Sequence, residues 1–402
     1  MSYRSLCAAV CLPIAVWAAG LPVTFESKPR TVVSGRDPVL SVRASGAVSL
    51  LKVDGSNLWL HTSFDGGDSF EDPVRVNDVE NEVSSHGESS PQMVIRSRGE
   101  FYVAWQSRRT PDKSVLRFAR SNGWGESFVP AIDVDPEGPS SQSFFTMNVA
   151  PNGAIYVAWL DGRERGKGRP GTSAVYIARS TDKGATFAPP VRIALDVCPC
   201  CRPNIAFSSK GKVYVAWRGV LDGNVRDVFV ASSSDQGATW SASARVAEDQ
   251  WAINGCPHSG GAMATVGERL FISWYTVRDK QPRLYLAWSD DGGATFSQRT
   301  DVSGESVLDP NHPVLANTGD RIALIFQARD ATQGDGWGPL DAYYREFDAQ
   351  GTLSPLAKLG HAEASVVYPA FAFESPGRLF IAWTESGKEG KSVVMMRGRR
   401  AN

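Results

Sequence analysis

The sequence predicts an all-β fold, a seven-bladed β-propeller of four-stranded antiparallel blades closed by an N-terminal strand. Three observations lead to it. The first is an octapeptide, Ser63-Phe-Asp65-Gly-Gly67-Asp-Ser69-Phe70, that returns at 180–187, 233–240 and 289–296, with a copy lacking the Asp at 121–128. The second is a tetrapeptide: Tyr102-Val-Ala-Trp105, Tyr156-Val-Ala-Trp159, Tyr214-Val-Ala-Trp217, Phe271-Ile-Ser-Trp274 and Phe380-Ile-Ala-Trp383. The third is the spacing: Ser63, Ser121, Ser180, Ser233 and Ser289 lie 53 to 59 residues apart. A fixed period of this kind marks a repeat architecture.

The units follow in order. An opening copy of the tetrapeptide region, Val48 to Val53, lacks the Trp, and a degenerate sixth copy is Ile325-Phe326-Gln-Ala-Arg329, so the count is seven. Each unit holds four short stretches that alternate apolar and polar residues between Gly, Pro, Asn and Asp. In the third unit these are Phe145 to Val149, Ile155 to Trp159, Ala174 to Arg179 and Val191 to Ala194. Four antiparallel strands repeated radially make a propeller blade. The seventh unit offers only Ala370 to Phe373, Leu379 to Trp383 and Ser392 to Met396. Val23 to Val33 has no unit of its own and is expected to supply the missing strand, which leaves no sheet edge exposed. In the octapeptide an Asp accepts backbone N–H groups in a tight turn, and Gly takes a backbone angle closed to other residues. It is read as a brace between third and fourth strands.

With 42 basic and 43 acidic residues the formal net charge is −1, so nothing favours nucleic acid or an anionic membrane surface. The repeat makes 21–402 one domain. Arg4 followed by the uncharged run Leu6 to Gly20 reads as a secretory signal over 1–20, cut after Ala18 or Gly20. A membrane anchor competes, but the run is short for a span. Cys11 as a lipoprotein acceptor is disfavoured by the Ala-Ala-Val before it. A secreted or periplasmic monomer is expected, with no membrane segment after cleavage.

Propeller topology puts the turns that enter each innermost strand on one face and the octapeptides on the other. The ring at the channel mouth is therefore Gly35-Arg36-Asp37-Pro38, His86 to Pro91, Gln142-Ser143, Cys198-Pro-Cys200-Cys201-Arg202-Pro203, Gly255-Cys256-Pro-His258-Ser259, Asp309 to Pro313 and Val367-Tyr368-Pro369. All four cysteines beyond the signal fall in this ring, with His86, His258 and His312; Met93, Met147 and Met263 lie just below. Cys198, Cys200, Cys201, Cys256 and His258, on adjacent blades, suit a soft or borderline ion such as copper or zinc. Two other readings stay open: two disulfides, since exported proteins form them, and a redox-active thiol set. His86 and His312 also read as satisfied loop residues, and the Met residues as packing.

The octapeptides resemble the Asp-box, or BNR, repeat of sialidases and related propellers over nearly the whole chain beyond the signal. The resemblance is specific for fold and unspecific for activity, because such propellers include glycosidases, receptors and assembly factors. Sialidases have six blades, which makes a six-bladed ring the alternative count. The resemblance implies an exo-glycosidase acting on terminal acidic sugars, with Tyr368 as nucleophile, Glu385 beside it, and Arg36, Arg278 and Arg329 as a carboxylate-binding triad. Arg36-Asp-Pro38 is similar to the family's Arg-Ile-Pro, and Gly255-Cys256-Pro-His258-Ser259 to its Gly-Cys-Gln-Gly-Ser. Where the family places Asn-Glu-Pro, this chain has Cys201-Arg202-Pro203, and the acid/base Asp has only Asp37 and Asp161 as near candidates. The leading expectation is a propeller that binds a small-molecule, glycan or metal ligand at its channel mouth. The glycosidase and an envelope scaffold are the alternatives.

Overall fold

The computed structural model describes residues 23–400 except 97–98, 111–112, 122, 139–140, 334–337, 360–364, 375–376 and 388–389. The expected signal at 1–20 and Cys11 lie outside the described residues. Seven antiparallel sheets follow one another along the chain. Blade 3 is representative: Gln142–Val149, Ile155–Asp161, Ser173–Ser180 and Val191–Val197 pair in chain order. Blades 4, 5 and 6 repeat that order, as does blade 1, which begins at Arg36–Val42. The described residues contain no α-helix.

Closure follows the predicted route. Blade 7 is built from Val367–Glu374, Arg378–Gly387 and Gly390–Arg400. Val23–Phe25 and Arg30–Ser34 both pair with Gly390–Arg400, in the registers Val23 with Arg400 and Arg30 with Met395. The expected strand is thus two strands, broken near Glu26 to Pro29, where no ladder pairing is possible for Pro29 N. The ring has seven blades, one more than the sialidase resemblance implies.

Among the described residues the buried apolar side chains form seven large clusters, each shared by two neighbouring blades. Leu40, Val48 and Leu50 of blade 1 meet Phe380, Ala382, Val393 and Met395 of blade 7, so the last interface closes the ring. Alternation explains this: each strand points one face at the preceding blade and the other at the following blade. The second strands, covered on both sides, are largely apolar in their middles, as in Ile155–Asp161, where every residue, Asp161 included, is buried. Met93 and Met147 pack in these interfaces, as does Met263.

The octapeptides brace the opposite face. Asp182 Oδ1 accepts from Ser180 Oγ at 2.7 Å and from Thr186 N at 3.0 Å, and Ser180 Oγ accepts from Gly184 N at 2.9 Å. Phe187 packs against the cluster between blades 2 and 3. Gly184 is required: its φ is +78°, and a Cβ there would sit 2.3 Å from the Phe118 ring. In the copy without Asp, Ser121 Oγ still accepts from Gly123 N and Gly125 N at 3.3 Å.

On the mouth face four innermost strands carry the same irregularity. The register slips around Asp37, Phe144, His312 and Tyr368. Those residues have φ of 53°, 48°, 51° and 49°. Three precede proline, which disfavours the right-handed helical region for the residue before it. Such bulges re-aim a side chain, and left-handed non-glycine residues hold backbone strain that clusters at functional sites.

Candidate functional site at the channel mouth

The innermost strands of all seven blades line one central cavity of about 230 Å³, with Glu88, Arg202, His312 and Tyr368 among its polar walls. Glu88 reaches it because the innermost strand of blade 2 is split. Val83–Ser84 and Gln92–Ile95 both pair along Phe101–Thr110, and the intervening turn carries Glu88 inward. Its side chain is buried yet fully engaged. Oε2 accepts from Arg202 N and Gly260 N, both at 2.9 Å, and Oε1 lies 3.1 Å from His312 Nδ1. Burial alone would raise the Glu88 pKa. The His312 hydrogen bond, the charges of His312 and Arg202 and the Arg202 N–H together outweigh it, and the carboxyl ends below its ordinary value.

Tyr368 stacks on His312 with ring centroids 4.3 Å apart, and its backbone N–H donates to Gln327 Oε1. Its hydroxyl sits over Gly87, where a Cβ would come within 2.7 Å. Burial, then the Glu88 charge, pushes the phenol up to about 12. At neutral pH Tyr368 is therefore a protonated phenol.

The other residues implied by the family resemblance are placed elsewhere. Glu385 accepts from the Trp383 indole at 2.9 Å, and Arg278 pairs with Asp279 at 3.5 Å in an exposed turn. Arg329 pairs with Asp309 at 2.7 Å and donates to Gly338 O. Arg36 is at the mouth, paired with Asp37 and donating to Ser85 O at 3.0 Å. Of that set only Tyr368 lines the cavity, and the charged groups beside it are Glu88 and Arg202. Asp161 is held by Trp159 Nε1 and Arg163.

The sulfur cluster lies beside this cavity. The Cys198–Cys201 loop is the crossover from blade 3 to blade 4, and Cys256 and His258 lie on the crossover from blade 4 to blade 5. The Sγ atoms of Cys198, Cys200 and Cys201 lie within 4.8 Å of one another, and so do Cys200 Sγ, Cys256 Sγ and a His258 nitrogen. Cys198 and Cys200 are 3.6 Å apart. All four cysteines are free thiols; the first three are buried and Cys256 is exposed. Cys200, rather than Cys198 or Cys201, is the one that meets Cys256. Phe144 packs on the cluster, and Val220 completes its apolar wall.

Two guanidinium groups surround it. Arg226 Nη1 donates to Cys198 Sγ at 3.1 Å, and its other donors go to Asn224 Oδ1. Arg218 is fully buried and donates only to the carbonyls of Ser259, Arg226 and Tyr275, while its guanidinium lies over the Trp251 ring. Among the described residues neither forms an ion pair with a carboxylate. The Cys200 and Cys201 thiols, followed by the Arg218 and Arg226 charges, hold the Cys198 pKa far below the ordinary thiol value against burial. The hydrogen bonds with Cys198 push Cys200 up, and burial above all pushes Cys201 up.

Glu88 and the buried arginines carried no readable signal in the sequence. Glu88 stood in the predicted ring, but two of its three partners are backbone N–H groups 114 and 172 residues away, and a backbone partner has no residue signature.

No protein-family profile and no curated protein sequence matches this chain. Solved structures do. A protein of unknown function from Dyadobacter fermentans superposes with a TM-score of 0.57 at 14% identity, covering 94% of this chain and 100% of the other. An ulvan lyase, a polysaccharide lyase, gives 0.54 at 10%, covering 92% and 95%. The NanB sialidase from Streptococcus pneumoniae gives 0.52 at 10%, covering 94% of each chain. At these identities the likeness extends to the fold: this chain is a seven-bladed β-propeller, similar in architecture to propellers that include sialidases and polysaccharide lyases.

Proposed function

We propose that the chain is an exported propeller that binds a thiophilic metal ion, copper or zinc, at its channel mouth. The observation that carries this reading is the convergence of five soft or borderline ligands from two crossovers, Cys198, Cys200, Cys201, Cys256 and His258, as two overlapping three-ligand groups. The 3.6 Å separation of Cys198 and Cys200 suits two thiolates on one ion, since Zn–S bonds of about 2.3 Å at a tetrahedral angle put the sulfurs about 3.8 Å apart. Export rests on the apolar run at the N-terminus. Titrating the reduced full-length chain with Zn(II) or Cu(I) tests the reading: about one equivalent bound, with a raised Tm, supports it, and no binding of either ion ends it.

A second reading, an exo-acting glycosidase on terminal acidic sugars, draws on the fold likeness to sialidases and on Tyr368 and Arg202 in the channel wall. Against it, Tyr368 is a protonated phenol and Glu88 is already occupied by three partners. A nucleophilic Tyr needs a carboxylate base to take its proton. Turnover of a fluorogenic sialoside, abolished by Tyr368→Phe, would establish this reading; no turnover across several acidic glycosides removes it.

A further inference from the structure

Resting on the metal reading above, we infer that the cluster is a two-station path for Cu(I). Cys200, Cys256 and His258 form the station that captures the ion, and Cys198, Cys200 and Cys201 form the station that retains it. Three independent features of the site carry this.

The first is the contrast in exposure. Cys256 and His258 face solvent, whereas Cys198, Cys200 and Cys201 are buried at 0%, 3% and 0% exposure. An ion arriving from solvent meets the outer pair first. The second is that Cys200 belongs to both groups. An ion bound outside is already attached to one inner ligand, so transfer requires exchange of the other two and never a naked ion.

The third is charge. A buried charge needs compensation, and Arg218 and Arg226 present two positive charges to the inner thiols with no carboxylate paired to either among the described residues. Cu(I) with three thiolates gives a complex of charge −2, which two guanidinium groups balance. Zn(II) on the same three thiolates gives −1 and leaves one cation over. Structural zinc also takes four protein ligands, and no fourth His, Cys, Asp or Glu joins either group within 4.8 Å among the described residues. Soft thiolate sets select Cu(I).

The transfer balances without any redox partner. Outside, Cu(I) binds two thiolates and neutral His258, with two protons released. Moving inward, it keeps Cys200 and gains Cys198, which enters as the thiolate, and Cys201, which loses one proton. Cys256 takes up one proton and His258 leaves neutral, so the step releases no net proton and copper stays in the +1 state.

The test uses the reduced full-length chain under anaerobic conditions, with Cu(I) delivered from a chromophoric chelator. The wild-type chain is expected to take about one equivalent. The double variant Cys256→Ser/His258→Ala is expected to hold Cu(I) with affinity within about tenfold of wild type but to load at least about tenfold more slowly, the scale typical of lost supporting groups. Cys198→Ser is expected to lose affinity by about a hundredfold or more. Should that variant not fold, Arg226→Met keeps every thiol and is expected to weaken retention while leaving the loading rate unchanged. If the double variant loses Cu(I) as completely as Cys198→Ser, or loads at the wild-type rate, the two stations do not exist. If the wild-type chain binds Zn(II) and not Cu(I), the ion is wrongly assigned. If it binds neither, the metal reading itself falls.

Discussion

Glu88 holds Gly260 across the channel mouth: Oε2 of the one accepts the backbone N–H of the other at 2.9 Å, between residues 172 apart in the chain. The same oxygen accepts Arg202 N. Arg202 directly follows Cys201, and Gly260 lies two residues beyond His258. One buried carboxylate therefore ties the two ligand-bearing crossovers together and anchors His312 with its other oxygen.

Removing that tie should loosen both loops. Glu88→Ala leaves two buried N–H groups and His312 without their acceptor, which is expected to cost about 3–5 kcal/mol, as for other broken buried charge networks. Metal affinity should fall about 10- to 100-fold, the usual effect of losing a group that orients ligands. Urea unfolding and metal competition read the two effects, and a variant matching wild type in both would show that the loops position themselves.

The same carboxylate sets an acid sensitivity. Its folded-state pKa is below the ordinary glutamate value of about 4.3, so the unfolded chain takes up the proton first. Its contribution to stability is fully present above about pH 4.3 and is lost as pH falls through the lower folded value. Urea midpoints measured from pH 6 to pH 3 should decline more steeply for wild type than for Glu88→Gln, and parallel declines would contradict this.

The brace makes a separate prediction. Gly184 and Gly211 share a left-handed backbone, φ +78° and +84°, but only Gly184 faces a ring at 2.3 Å, whereas Gly211 has open space. Gly211→Ala should cost about 1–2 kcal/mol from the backbone alone. Gly184→Ala should cost about 1–3 kcal/mol more, the scale of overpacking. Equal unfolding free energies for the two variants would mean that the Phe118 contact is soft.

Ring closure predicts the behaviour of a truncation. Without residues 23–34 the strand Gly390–Arg400 becomes an unpaired edge, and exposed edges recruit other chains. The shortened protein should unfold at lower denaturant and self-associate. A monomeric chain of unchanged stability would show that the N-terminal strands add nothing to the seventh blade.

The fold was legible because its signals are local. Ser180, Asp182, Gly184 and Thr186 bond to one another within a few residues, so their spacing is fixed in the sequence wherever the turn occurs. Convergence of the cysteines followed from topology once the blades were counted. Glu385 shows the limit of such local signals: the Trp383 indole two residues away donates to its carboxylate. Burial of Arg218 was equally hidden, since its acceptors are carbonyls contributed by three different segments. The bulges at Asp37, His312 and Tyr368 left a trace in the proline that follows each, a signal shared with many ordinary turns.

The most direct test of the metal site pairs elemental analysis with thiol titration on the full chain purified from an oxidising compartment. The expectation is about one equivalent of copper or zinc, and thiols that become titratable only when the metal is removed. Protein without metal and without any free thiol, its four cysteines consumed in two disulfides, would contradict it.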